Sequence, residues 1–132
     1  MLSCQNSTLR VMVVDDHELT RFSLKLAMQG QKNIELVGMA SNGKEAIELV
    51  ERCHPDVIIL DLQMPVMDGL SASNHIKTLD PNVQIIAYSS VENPQAEIRN
   101  AAARIDAFCK KDAPTQDLIA LVKKLGESVK ID

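Results

Sequence analysis

The chain has 132 residues, 45% hydrophobic and 24% charged, enough for one domain with an ordinary core and too few for two. It carries 14 basic against 18 acidic residues, a net charge of -4, which disfavours a polyanion as its main partner. Aromatics are only 2%, so the core is aliphatic, which argues against a base-stacking surface for single-stranded nucleic acid.

No apolar run approaches the ~18 residues of a membrane span, and the first residues lack a signal-peptide pattern. Cys4, Cys53 and Cys109 are odd in number and lack C-x-x-C spacing, which fits unpaired thiols in a reducing cytoplasm.

Residues 1–8 are polar and read as a loose N-terminal segment. Val11 to Val14 form an apolar run that ends on Asp15-Asp16. His17 to Gln29 read as a helix with Leu19, Phe22 and Leu26 at i, i+3 and i+7, and Gly30 stands where it stops. Ile34 to Ala40 alternate weakly, as a strand nearer an edge would. Asn42 and Glu45 resemble a capping pair for a helix with Ala46, Ile47, Val50 and Cys53 inward, ended by Pro55.

Val57 to Leu60 are four apolar residues, three of them β-branched, leading to Asp61. That is the pattern of a strand covered on both faces, at the centre of a parallel sheet. Pro65 and Gly69 then predict a stiff loop beside Asp61. Leu70, Ile76 and Leu79 mark a third helix, and Val83 to Tyr88 a fourth strand that closes on Ser89-Ser90. Asn93-Pro94 opens a fourth helix with Ile98, Ala101 and Ala102 inward. Ala107 to Cys109 form a short fifth strand before Lys110-Lys111. A last helix opens at Pro114, buries Leu118, Leu121, Val122 and Leu125, and closes at Gly126. The expected domain is 9–126, with 127–132 as a tail.

Five βα units without a repeat or linker predict an α/β fold: a doubly wound five-stranded parallel sheet in the order 2-1-3-4-5. Ligands of such sheets bind just outside the carboxyl ends of the strands. Asp15, Asp16, Asp61, Ser89 and Lys111 all fall at those ends. Three carboxylates at one rim repel one another unless a cation compensates. Oxygen ligands suit Mg2+, which also takes phosphate oxygens. Lys111 supplies a charge for a phosphate and Ser89 a hydroxyl. Together these groups could accept a phosphoryl group on Asp61, since Asp carboxylates serve as phosphoryl nucleophiles.

Val13-Val14-Asp15-Asp16, Asp61-x-x-Met64-Pro65-x-x-x-Gly69, Ile85-Ile86-x-x-Ser89-Ser90 and Phe108-x-x-Lys111 resemble the receiver domain of two-component response regulators, a flavodoxin-like fold, over residues 9–126. The resemblance implies that Asp61 takes a phosphoryl group from a phosphohistidine of a sensor histidine kinase or phosphotransfer protein. It implies Mg2+ bound directly by Asp16 and Asp61, through water by Asp15, and by the backbone carbonyl of Gln63. It implies that Ser89 and Lys111 contact phosphoryl oxygens, and that Phe108 is the aromatic that turns inward with Ser89 on switching. Gln63 and Val91 would tune dephosphorylation. A changed face of the fourth helix, fifth strand and fifth helix would meet a partner or form a homodimer, with no nucleic-acid or membrane contact by this domain itself.

Asp15-Asp16-His17-Glu18 and Lys111-Asp112-Ala113 further resemble LuxR/NarL/FixJ-type regulators of transcription. Their helix-turn-helix is not within these residues, which reads as a single-domain regulator or an excised receiver. Arg104 and Ala107 stand where receivers have Gly, and Asp112 where many have Pro, leaving the isomer of the Lys111–Asp112 peptide open. These departures motivate a rival reading, an interaction module on this fold that is not phosphorylated. A flavin or nucleotide site is disfavoured, because Asp15-Asp16 would repel phosphate and no Gly-rich loop is present. His17 and His75 read as surface residues.

Overall fold

The computed structural model describes residues 8–64, 67, 69–90 and 104–130. Its elements are β1 (Leu9–Val14), α1 (Glu18–Gln29), β2 (Ile34–Ala40), α2 (Gly43–Cys53), β3 (Val57–Asp61), α3 (Gly69–Leu79), β4 (Gln84–Ser89), β5 (Ala107–Lys110) and α4 (Thr115–Lys130). The helix expected at Asn93-Pro94 lies outside the described residues.

The strands pair in parallel in the order β2-β1-β3-β4-β5, as the pattern predicted. Alternation along each strand divides the core into two layers. On one face Val11, Val13, Ile59 and Ile86 pack with Leu24 and Met28 of α1 and Leu118 and Val122 of α4. On the other, Met12, Val14, Ile58, Leu60 and Ile85 pack with Ala46 and Val50 of α2 and Ala72 and Ile76 of α3. Every residue of β3 is buried, as expected of a strand covered on both sides. β2 lies at an edge with a mixed burial pattern.

The apolar spacing that marks α1 as a helix is not the face it packs on the sheet. Leu24 and Met28 turn to the sheet, while Leu19, Phe22 and Leu26 are exposed to 81%, 55% and 54%. Both i, i+4 and i, i+3, i+7 sets of apolar residues exist on this helix, and only the first faces the core. Leu79 of α3 is likewise exposed.

The Asn42 side chain accepts from Glu45 N at 2.9 Å, but Glu45 Oε1 returns to Ser41 N at 2.7 Å instead of Asn42. His54 closes α2 in the left-handed region at φ 49°, donating to Val50 O, and Pro55 prevents continuation. α4 does not stop at Gly126. That residue is buried inside the helix, where a Cβ would collide with the Leu9 side chain, and the helix runs on to Lys130.

Arg104 does not need the left-handed backbone that a Gly would serve, since His54 is the only described non-Gly residue with positive φ. Its amide donates to Asn74 Oδ1 at 3.1 Å and its guanidinium to Thr78 Oγ1 at 3.0 Å, tying the approach to β5 onto α3. Asp106 continues the tie. Its Oδ2 accepts from Ile85 N at 2.7 Å and pairs with the buried Lys77 Nζ at 2.7 Å. The Lys111–Asp112 peptide is trans.

Candidate functional site

Parallel strands bring all carboxyl ends to one rim, and the sequence places chemistry on four of the five. Asp15 and Asp16 follow β1, Asp61 ends β3, Ser89 ends β4 and Lys111 follows β5. Asp15 and Asp61 are buried, as is Ser89, while Asp16 is partly exposed.

Several contacts hold the rim. Asp15 N donates to Ala40 O at 3.0 Å, and Arg21 Nη1 to Asp15 O at 2.6 Å. Asp15 Oδ1 accepts from His17 N at 2.8 Å. Asp61 Oδ1 accepts from Gln63 N at 3.0 Å, an Asx turn that orients the carboxylate. Gly69 N donates to Leu62 O at 3.0 Å, and a Cβ on Gly69 would clash with the Asp61 carbonyl and lie 2.7 Å from Leu62 Cα. Only glycine allows the chain to return so close to Asp61. Lys111 N donates to Ser89 O at 2.9 Å, which aligns the lysine with the end of β4.

Asp15, Asp16 and Asp61 converge. With His17, each offers a ligand atom within 4.8 Å of the others. Lys111 Nζ sits 2.9 Å from Asp15 Oδ2 and 3.4 Å from Asp61 Oδ2. Asp15 Oδ2, Asp16 Oδ1 and Asp61 Oδ2 are buried with incomplete hydrogen bonding, and Lys111 meets two of them as an ion pair. Three such carboxylate oxygens facing one another fit a small hard cation. Mg2+ suits this donor set better than a soft metal does.

Burial pushes the Asp61 carboxyl above the usual carboxylate range. The Gln63 N–H works against that shift, Asp15 adds to it, Lys111 opposes it and Asp16 adds to it. For Lys111, burial works to lower the ammonium, but the hydrogen bond to Asp15 and the charges of Asp15 and Asp61 outweigh it, and the net shift is upward.

His17 lies on the surface, as its sequence position suggests. Its side chain is exposed, but Nδ1 lies 2.9 Å from Asp15 Oδ1 and 3.2 Å from Asp16 Oδ1. The available signal was its position directly after Asp15-Asp16, at the mouth of a helix. Phe108, paired with Ala87, is 40% exposed, so its ring does not fill the core. Gln63 is exposed beside Asp61, and Val91 lies outside the described residues.

A family model described as the response regulator receiver domain matches residues 11–123. The response regulator protein VraR of Staphylococcus aureus is 35% identical over 124 residues, which cover 92% of this chain and 59% of that protein. The chain thus spans about three fifths of the curated relative it matches. Among solved structures, the signal receiver domain of a NarL response regulator from Mycobacterium tuberculosis superposes with a TM-score of 0.83 at 26% identity, over 92% of this chain and 98% of that one. The response regulator domain of Thermotoga maritima CheB superposes with a TM-score of 0.78 at 29% identity, over 95% and 98%. Among the described residues no helix is long and apolar enough to cross a membrane. Sequence match, sheet order and the acidic rim agree: the chain belongs to the response regulator receiver domain family.

Proposed function

We propose that this receiver accepts a phosphoryl group on Asp61 in an Mg2+-dependent reaction and switches its surface in response. The single observation that carries the reading is Asp61 Oδ2, buried with incomplete hydrogen bonding and 3.4 Å from Lys111 Nζ. A carboxylate oxygen so placed beside an ammonium is poised to attack phosphorus.

The donor is a phosphohistidine of a sensor kinase or phosphotransfer protein. Asp61 Oδ2 forms the new P–O bond as the P–N bond breaks, and the electron pair leaves with the imidazole. Gln63 N–H holds Oδ1 and so aims Oδ2. Lys111 neutralises charge on the transferred oxygens, and the Ser89 hydroxyl receives one of them. Asp16, Asp61 and the Gln63 carbonyl would hold Mg2+ directly and Asp15 through water. When bound, the ion supplies the countercharge that lets a dianionic donor approach three carboxylates.

Once phosphorylated, Asp61 draws Ser89 toward it and Phe108, now 40% exposed, turns into the space released. The altered face around β5 and α4 then meets an output domain or partner, or a second copy, in regulating transcription in the cytoplasm. Reduction of the acetyl phosphate-treated protein with borohydride, followed by peptide mapping, tests the acceptor. Conversion of Asp61 to homoserine is expected; conversion of any other carboxylate, with Asp61 intact, overturns the reading.

A further inference from the structure

Lys111 Nζ has charged neighbours and an uncharged one. Asp15 Oδ2 lies 2.9 Å from it and Asp61 Oδ2 3.4 Å. The ammonium also sits over the ring of Tyr88, 5.8 Å from the centroid. An ammonium within about 6 Å of an aromatic centroid is drawn to the negative face of the ring. The Lys111 side chain is only 19% exposed, so water weakens this attraction little.

The fold holds the ring in place. Tyr88 stands directly before Ser89 on β4, paired with Asp61 of β3 and Cys109 of β5. It is half-buried and packs on the apolar layer that includes Leu24 and Ile86. Lys111 N donates to Ser89 O at 2.9 Å, which starts the lysine side chain beside this end of β4. Of the two partners the ring is the rigid one, since the lysine is a charge on a flexible four-carbon stem.

A divalent cation acts differently on the two kinds of neighbour. Placed among Asp15, Asp16 and Asp61, it takes the oxygens that Nζ meets and repels the ammonium. A phenol ring is no ligand for a hard cation, so its hold on Nζ persists. Without the ring, nothing but the rim's carboxylates would keep Nζ inward, and Mg2+ neutralises those. We propose that Tyr88 is a positioning residue, whose ring keeps Lys111 Nζ at the rim for the incoming phosphoryl oxygens once Mg2+ holds the carboxylates. This role rests on the phosphoryl-accepting reading of Asp61. The contact is made by the ring and not by the hydroxyl, so phenylalanine serves in its place.

Two measurements test it. The Cε protons of Lys111, read by NMR at saturating Mg2+, should show an upfield ring-current shift that Tyr88→Phe keeps and Tyr88→Leu removes. Labelling of Asp61 by acetyl phosphate, followed by intact mass, should slow about three- to tenfold in Tyr88→Leu. Tyr88→Phe should stay within about twofold of wild type. In a Lys111→Met background, Tyr88→Leu should bring no further loss, because it acts through the lysine. A Tyr88→Leu variant that labels as fast as wild type overturns the role alone, as does a loss that persists undiminished in Lys111→Met. Disappearance of the wild-type shift on adding Mg2+ overturns it too, and that result requires no variant to fold. A wild type that never labels overturns the phosphoryl reading of Asp61 instead, and the role with it.

Discussion

Lys111 Nζ lies 3.4 Å from Asp61 Oδ2, brought there by a sheet order that sets β4 between β3 and β5. The same ammonium lies 2.9 Å from Asp15 Oδ2, so it occupies part of the space in which a divalent cation would find its ligands. Lysine and cation compete for these oxygens, yet both are wanted once phosphoryl oxygens arrive. Lys111→Met should therefore bind Mg2+ more tightly, by about three- to tenfold, while acyl-phosphate formation falls at least tenfold. Calorimetric Mg2+ titration and phosphorylation kinetics, run on the same preparation, check the two opposed changes.

Asp61 is a charge in the wrong place for stability. Burial first, then the neighbouring acids Asp15 and Asp16, raise its carboxyl above the ordinary range despite the Gln63 N–H and Lys111. A raised acid binds its proton more tightly when folded, so the fold loses stability as pH climbs from the unfolded value of ~3.9 through the folded one. In EDTA, Asp61→Asn should match wild type below that window and exceed it above. Mg2+ should reverse the order, because a ligand at a hundredfold its dissociation constant adds about 2.7 kcal/mol to the form that binds it. Thermal melts at a series of pH values, with and without Mg2+, provide the comparison.

Gly69 tests how tightly the loop is wound against the site. The clash a Cβ would make is with the backbone at Asp61 and Leu62, which no side-chain rotation relieves. Gly69→Ala should cost about 2–3 kcal/mol in urea unfolding and should also slow phosphorylation, because Asp61 must shift to admit the methyl group.

Lys77 and Asp106 form the ion pair that ties α3 to β4 and the entry to β5. Lys77 is buried and also donates to Val83 O at 2.6 Å. Asp106→Ala strands that ammonium and leaves Ile85 N without its acceptor, and should destabilise by about 3 kcal/mol. Pairing it with Lys77→Met should recover much of the loss. Urea midpoints of the two singles and the double form the cycle.

Much of this was legible before any coordinates. The β3 run and the alternation of βα units led directly to the sheet order, because period and length separate strands from helices here without ambiguity. Asp15, Asp16, Asp61 and Lys111 could be set together because parallel strands leave only one rim at which to end. What failed was the choice between two apolar stripes on α1. Periodicity reports that a stripe exists and is silent on which one the sheet takes when a helix carries two. Gly126 failed similarly: glycine reads as a stop, but here its missing side chain makes room for Leu9. The ties from Arg104 and Asp106 to α3 and β4 could not be read at all, since they join residues distant in sequence. The approach of His17 to Asp15 and Asp16 has no sequence signature, because a histidine beside two acids carries no spacing rule of its own.

Phosphoryl acceptance by Asp61 is read from the intact mass of the protein after incubation with acetyl phosphate, with Mg2+ and with EDTA, beside Asp61→Asn. The expected result is a gain of one phosphoryl group in wild type only when Mg2+ is present, and none in Asp61→Asn. A folded wild type that gains nothing in Mg2+, or an Asp61→Asn variant that gains as much, would contradict the account.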